Sequence, residues 1–336
     1  MNNKQTRAIL VIYTGGTIGM DKNPKTGQLE AVGIDKLCQY IPELEKFHHR
    51  IDYQSISRQI DSSDMTPKIW QEVASIIEEE YDHYDGFVIL HGTDTMSYTA
   101  SALSFMLENL NKTIVLTGSQ LPMSALRNDA HDNLITALII AAESKVPEVC
   151  IYFENKLFRG NRTTKLNAEN FDAFFSGNYA PLAETGLYIN YNKSKIAKPG
   201  NGKLKVHPHF DENIAILKIF PGITQNVLHH ILNVEGLRGV ILETYGSGNA
   251  PTAPWFSEEL EAAIRKNIIV FNILQCKSGR TAPKTYQAGL RIDGIVNGND
   301  ITGEAAITKL MFLLGQHHDN ETVKKLLVTP LRGEMA

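Results

Sequence analysis

Short apolar runs that stop at a turn recur through this 336-residue chain, and helical patterns alternate with them. Ala8 to Tyr13 ends at Thr14-Gly15-Gly16-Thr17, Phe87 to Leu90 at His91-Gly92-Thr93-Asp94-Thr95, and Thr113 to Thr117 at Gly118-Ser119-Gln120-Leu121-Pro122. Val149 to Phe153 ends at a basic stretch. An unbroken apolar run of this length reads as a strand buried on both faces, the setting of a parallel sheet covered by helices. Strand, turn and helix in alternation predict an α/β fold, in which strand C-terminal ends share one edge and ligands bind near a switch in strand order. Gly15 and Gly16 let the first turn press its N–H groups close to a ligand and present Thr17 at the rim of the sheet.

The length favours two domains. Residues 188–205, YINYNKSKIAKPGNGKLK, break the pattern with Asn, Lys and Gly and little apolar periodicity, as a linker or excursion does. The expected architecture is a larger N-terminal doubly wound, mainly parallel sheet domain over residues 1–190, a linker over 191–211, and a smaller C-terminal α/β domain over 212–336. In that second part Ile214 to Phe220, Gly239 to Leu242 and Ile268 to Leu274 read as strands. Ile223 to Val234, Glu258 to Lys266 and Glu304 to Leu314 read as helices.

Within the first part, the polar stretch Asp21 to Glu30 reads as a loop, either a plain connection or a lid. Ile51 to Ile60 reads as a strand, followed by a helix with Pro67 in its first turn and Ile69, Val73, Ile76 and Ile77 on one face. Ser62, Ser63 and Asp64 suit either caps for that helix or donors for a carboxylate. Asp94, at the start of another helix, suits either a cap or a reactive carboxylate favoured by the helix dipole. Arg159, Arg162 and Lys165 crowd one short loop after a strand of the same sheet, so that one of these cations can reach Asp94.

Composition narrows the function. A net charge of −4 with 43% hydrophobic and 21% charged residues describes a globular protein with no broad attraction to nucleic acid or acidic membranes. Cys38, Cys150 and Cys276 are odd in number and far apart, which argues against a disulfide framework or a zinc knuckle and fits a reducing cytoplasm. The N-terminal apolar run flows into a glycine turn rather than a cleavage site, and the longest apolar run, Leu134 to Ala142, falls short of the roughly 20 residues of a membrane helix. GGTIGM is not a G-x-G-x-x-G fingerprint, and there is no P-loop, no metal-ligand spacing and no G-x-S-x-G elbow, so no metal and no cofactor is expected. What remains at the strand ends is hydroxyls, a carboxylate and a cation. A threonine hydroxyl needs a neighbouring base or a field that stabilises its alkoxide, and backbone N–H groups of glycine turns stabilise an oxyanion. Acyl transfer on a small polar amide or ester fits that set.

YTGGTIG (Tyr13 to Gly19) and HGTDTM (His91 to Met96) resemble the two signature motifs of the cytoplasmic type I L-asparaginase family. IDSSDM (Ile60 to Met65), TGSQLP (Thr117 to Pro122) and RGNRTTK (Arg159 to Lys165) resemble further blocks in the same order. The resemblance runs from the first strand to nearly the end. It implies hydrolysis of L-asparagine to L-aspartate and ammonia through a threonine nucleophile and a β-aspartyl ester, with weaker action on glutamine. By it, Thr17 stands as the nucleophile, and Thr93, Asp94 and Lys165 as a second catalytic group. Asp61, Ser62, Thr93 and Asp94 stand as substrate-binding residues. No tyrosine occurs in Met20 to Val32, where many relatives carry a proton-relay tyrosine, and Tyr286 in KTYQAG is expected to substitute. Gln120, Thr164, Asn249 and Cys276 match a regulatory asparagine site, although Glu243 stands where at least one regulated relative has arginine and its carboxylate would repel the effector's. The resemblance also implies a homodimer that pairs into a homotetramer. Two other readings stay open: a related tRNA-dependent amidotransferase subunit, which carries an added N-terminal domain, and a sensor that keeps the pocket without turnover.

Overall fold

The computed structural model describes residues 6–23, 25–27, 29–31, 40–282 and 284–336, and Cys38 lies outside them. The chain forms two compact units, Met1–Pro208 and His209–Ala336.

The first unit runs in order through β1 (Ala8–Gly15), β2 (Met20–Lys22), β3 (Leu29–Ala31), β4 (Arg50–Ile60), α1 (Pro67–Glu80), β5 (Gly86–Leu90) and α2 (Met96–Met106). It continues with β6 (Leu107–Glu108), β7 (Thr113–Thr117), α3 (Ala130–Glu143), β8 (Val149–Phe153), β9 (Lys156–Arg159), β10 (Thr164–Lys165) and β11 (Phe174–Phe175). β12 (Ala183–Thr185), β13 (Ile189–Tyr191) and β14 (Lys205–Val206) close it. The main sheet has the order β13-β12-β9-β8-β7-β5-β1-β4. β4, β1, β5, β7 and β8 are parallel, and β9, β12 and β13 extend the sheet antiparallel. The apolar runs become strands because both their faces are covered. Ile9, Val11, Tyr13, Val88, Leu90 and Val115 pack with Leu134, Ala137 and Leu138 of α3. Leu10, Ile12, Phe87 and Ile89 are buried on the opposite face, where Tyr81 at the end of α1 stacks on Phe87.

Strand order positions the site. From β1 the chain goes out to β4 on one side and then crosses to β5 on the other, so the order switches at the C-terminal end of β1. Pairing with β4 slips between Tyr13 and Gly15, which places Gly15 opposite Ile60 and brings Asp61 and Ser62 beside the glycine turn.

Three stretches differ from the sequence expectation. Asp21 to Glu30 is a hairpin rather than a loop, with Asp21 paired to Glu30 across β2 and β3. The basic stretch after β8 holds a strand, β9, because Glu154 (φ 42°) and Asn155 (φ 62°) form a two-residue turn with both φ values positive. Residues 188–205 are not a free linker: Ile189–Tyr191 adds an edge strand, the Ala197 N–H donates to Glu148, the Gly200 N–H to the Leu110 carbonyl, and Lys205 pairs with Glu108.

The second unit holds β15 (Ile214–Lys218), α4 (Gln225–Leu232), β16 (Gly239–Thr244), α5 (Pro254–Arg265), β17 (Ile269–Leu274), β18 (Val296–Asn297), α6 (Gly303–Gly315) and α7 (Asn320–Leu327). Its four strands are parallel in the order β15-β16-β17-β18. Leu228, Leu232, Phe256 and Leu260 cover Leu217, Val240, Leu242 and Val270. The C-terminal tail is clasped by a fully buried ion pair between Lys309 and Glu334, while Lys309 also donates to the Leu327 and Thr329 carbonyls. Both units are thus α/β, the larger with a mostly parallel sheet. No helix among the described residues is long and apolar enough to cross a membrane.

Candidate active site

Three turns meet at the switch in strand order. β1 ends at Gly15 (φ 118°) and Gly16 (φ 88°), conformations that a side chain resists. A Cβ on Gly16 would lie 2.4 Å from the Gly92 nitrogen, and one on Gly92 would lie 2.6 Å from Ser62 Oγ. The turns after β1, β4 and β5 are therefore in direct contact, and glycine is what lets them touch. Thr17 opens a short 3-10 turn, half-buried, and its hydroxyl has no hydrogen-bond partner among the described residues. Tyr13 Oη donates to the Gly19 carbonyl at 3.0 Å and fixes the far end of that turn. Burial pushes the Tyr13 phenol up to about 12, so it stays a neutral donor.

After β4, Asp61 caps a 3-10 turn over Ser62–Asp64 by accepting from the Ser63 N–H at 2.9 Å and the Ser63 hydroxyl at 2.7 Å. Those bonds hold its carboxyl below the usual range. The helix α1 that follows has Thr66 at its N-cap position with no side-chain bond to it, so none of Ser62, Ser63 and Asp64 caps it. Ser62 is buried in the turn.

After β5, Lys165 Nζ donates to Thr93 Oγ1 and to Asp94 Oδ1, each at 2.7 Å. Asp94 does not cap α2, whose N-cap position is Thr95; its carboxylate, 63% exposed, is taken by Lys165 instead. Thr93 is buried, and its hydroxyl donates a hydrogen bond to Gln120 Oε1 at 3.2 Å. The Gln120 amide has no freedom to flip, because its nitrogen donates to the carbonyls of Ala168 and Asn170 at 3.1 and 3.0 Å. An ammonium on one side and an oriented amide oxygen on the other leave the Thr93 oxygen poised for proton exchange, its alkoxide stabilised by Lys165.

The other two cations of the basic stretch are structural. Arg159 makes a buried pair with Glu148, with Nε at 2.5 Å, and lies 4.4 Å from the centre of the Tyr179 ring. Arg162 is buried 5.1 Å from the same ring. Together they anchor the segment that delivers Lys165 to the site on β10.

Sequence reasoning missed Asp129 and Thr95. Asp129, buried at the start of α3, accepts from the backbone N–H groups of Gln120 and Leu121 and so holds the turn from which Gln120 reaches Thr93. Its carboxyl is raised, chiefly by burial. Asn-Asp before a helix reads as a cap, and nothing in the spacing points to residue 120.

His91 is fully buried within the motif. Its Nδ1 contacts the Gly92 carbonyl at 2.6 Å, which can only accept, so Nδ1 carries the proton and Nε2 accepts from Thr99 Oγ1 at 2.8 Å. Trp70 Nε1 donates to the same hydroxyl at 3.0 Å. Burial lowers the imidazole from 6.5 to about 4, so His91 stays neutral. Between those two values the unfolded chain binds a proton that the folded chain does not, and stability therefore falls with falling pH. The expected loss approaches about 3 kcal/mol by pH 4. Urea midpoints at pH 7 and pH 4.5 check it: His91→Gln should be less stable at pH 7 yet less acid-sensitive, and unchanged acid sensitivity would assign the effect elsewhere.

The remaining predicted residues divide between the units. Thr164 is buried beside Lys165 in the first unit. Asn249, Cys276, Glu243 and Tyr286 belong to the second unit, where Glu243 lies 3.9 Å from Lys218 and Cys276 is a free, exposed thiol. Tyr286 is 52% exposed. Among the described residues no cluster of His, Cys, Asp and Glu could hold a metal ion.

Comparison with known proteins joins this geometry to a family. Residues 8–197 match the model described as "Asparaginase, N-terminal", and residues 213–327 match "Glutaminase/Asparaginase C-terminal domain". L-asparaginase 1 of Escherichia coli (strain K12) is 45% identical over 338 residues, spanning 98% of each chain. The crystal structure of L-asparaginase I from Vibrio cholerae O1 biovar eltor is similar with a TM-score of 0.90 at 41% identity, over 98% of this chain and 99% of that one. The thermostable L-asparaginase from Thermococcus kodakarensis gives 0.91 at 32% identity, again over 98% and 99%.

Proposed function

The chain belongs to the asparaginase/glutaminase family, and on that premise we propose that it hydrolyses L-asparagine to L-aspartate and ammonia. The observation that carries this reading is the contact of Lys165 with both Thr93 and Asp94, 2.7 Å each, next to the turn bearing Thr17, whose hydroxyl has no partner among the described residues.

In this reading Thr17 Oγ attacks the side-chain amide carbon, and the C–N bond breaks. The hydroxyl proton leaves with the nitrogen as ammonia, and a β-aspartyl ester remains on Thr17. Water then attacks the ester, the C–O bond to Thr17 breaks, and a proton returns to Thr17 Oγ. Thr93, tuned by Lys165 and Asp94, exchanges the protons that these two attacks require. The backbone N–H groups of Thr17 and Thr93 have no intramolecular acceptor among the described residues and are suited to hold the oxyanion. Ser62 receives the α-carboxylate beside the Asp61 cap, and Asp94 takes the α-ammonium by charge.

Further assignments extend from the resemblance. The enzyme is a cytoplasmic type I member that needs no cofactor, with weaker action on glutamine, since one added methylene is a discrimination of about 1 to 3 kcal/mol. It acts as a homodimer pairing into a homotetramer. Tyr286 substitutes for the missing relay tyrosine. Gln120, Thr164, Asn249 and Cys276 are the residues that the resemblance matches to a regulatory site, and the Glu243 carboxylate disfavours an effector's carboxylate.

Ammonia release over a wide range of L-asparagine, with L-glutamine in parallel, tests the reading. Hyperbolic turnover of asparagine with slower turnover of glutamine is expected. Saturable binding of asparagine to folded protein with no ammonia released would replace the enzyme with a sensor, and a sigmoidal curve would restore the regulatory site.

A further inference from the structure

Thr95 stands immediately before α2, where a threonine side chain ordinarily accepts a hydrogen bond from the helix's first N–H groups. It makes no such bond. Its hydroxyl instead donates to the Ser62 carbonyl, 33 residues away in sequence, at 2.7 Å. That carbonyl also takes the Met65 N–H at 3.2 Å, while the N–H of the same peptide unit, on Ser63, is taken by Asp61 Oδ1 at 2.9 Å. The Ser62–Ser63 peptide plane is thus tied at both ends. Ser62 Oγ and the Ser62 N–H, neither with a partner among the described residues, are left as donors for a carboxylate. Gly92 closes against the Ser62 side chain from the next turn.

We propose that Thr95 is a positioning residue: its hydroxyl sets the register between the turn bearing Thr93 and Asp94 and the turn bearing Asp61 and Ser62. The inference rests on the asparaginase reading, in which those two turns hold opposite ends of one small substrate. Thr95 follows Asp94 directly, so a hydroxyl spent on Ser62 instead of on its own helix links the carboxylate-binding turn to the catalytic one. It acts through Ser62 and need not touch the substrate.

The test is kinetics on L-asparagine and calorimetric binding of L-aspartate for Thr95→Val, which keeps the side-chain shape, and for Thr95→Ser, which keeps the hydroxyl. Thr95→Ala serves as a second deletion should the valine fail to fold. For the deletions KM and the L-aspartate Kd should rise together by about tenfold, the size of one lost neutral hydrogen bond, with kcat within about twofold. Thr95→Ser should restore both constants. A deletion that lowers Tm but leaves KM and Kd unchanged, or one that lowers kcat alone, would overturn the positioning role. An unsubstituted protein that binds L-aspartate without turning over asparagine would sink the asparaginase reading, and the Kd series would still decide Thr95. Binding of neither ligand would remove both.

Discussion

Replacing Thr17 by alanine is expected to lower asparagine turnover by about 10⁴-fold or more, the scale seen when a covalent nucleophile is deleted. The substitution removes a half-buried hydroxyl that has no partner among the described residues, so no hydrogen bond is lost among them. The turn itself is held by Tyr13 on the Gly19 carbonyl and by the contact of Gly16 with Gly92, neither of which involves the Thr17 side chain. Tm should therefore stay within a few degrees, and L-aspartate should bind with similar affinity because Ser62 and Asp94 are untouched. Ammonia release and calorimetry on the same preparation check both halves. Turnover retained within about tenfold would exclude Thr17 as nucleophile and move that role to Thr93.

The parallel strands were legible because each is an apolar run with nowhere to go but a two-sided interior. β8 announces itself as VCIYF, and all its residues are buried. Its antiparallel partner β9 was not legible, because the turn before it places a glutamate at positive φ, which residue type does not advertise. β2 and β3 were missed for a different reason: at three residues each, Met20–Lys22 and Leu29–Ala31 are too short for an alternation to stand out from a polar stretch. The stretch at 188–205 looks like a linker by composition, yet backbone bonds to Glu148, Leu110 and Glu108 hold it to the first unit.

The same division holds at the site. Thr17, Ser62, Thr93 and Asp94 sit beside the turns that end adjacent strands, and sheet order alone brings such turns together. What joins them was not legible. Thr95 reaches Ser62 across 33 residues and Thr93 reaches Gln120 across 27, and both bonds depend on how separate turns pack. Gln120, which the resemblance matches to a regulatory position, accepts from the Thr93 hydroxyl while its amide nitrogen donates to the Ala168 and Asn170 carbonyls.

Lys165→Met is the second large effect expected, a fall in kcat of about 10² to 10⁴-fold, the range for a lost general acid–base partner. Methionine has a comparable reach and fills the volume of the mostly buried lysine stem, but it donates to neither Thr93 Oγ1 nor Asp94 Oδ1. The ion pair itself adds little stability, since Asp94 is 63% exposed and such pairs contribute at most about 1 kcal/mol. A large kinetic loss with a small change in Tm would therefore separate chemistry from folding. Arg159 supplies the opposite control: its buried pair with Glu148 positions the segment carrying Lys165 without reaching Thr93. Arg159→Met strands a buried carboxylate and should cost about 3 to 5 kcal/mol of stability. If Lys165→Met instead lost stability while keeping kcat, Lys165 would be an anchor like Arg159, and the proton traffic at Thr93 would have to run through solvent.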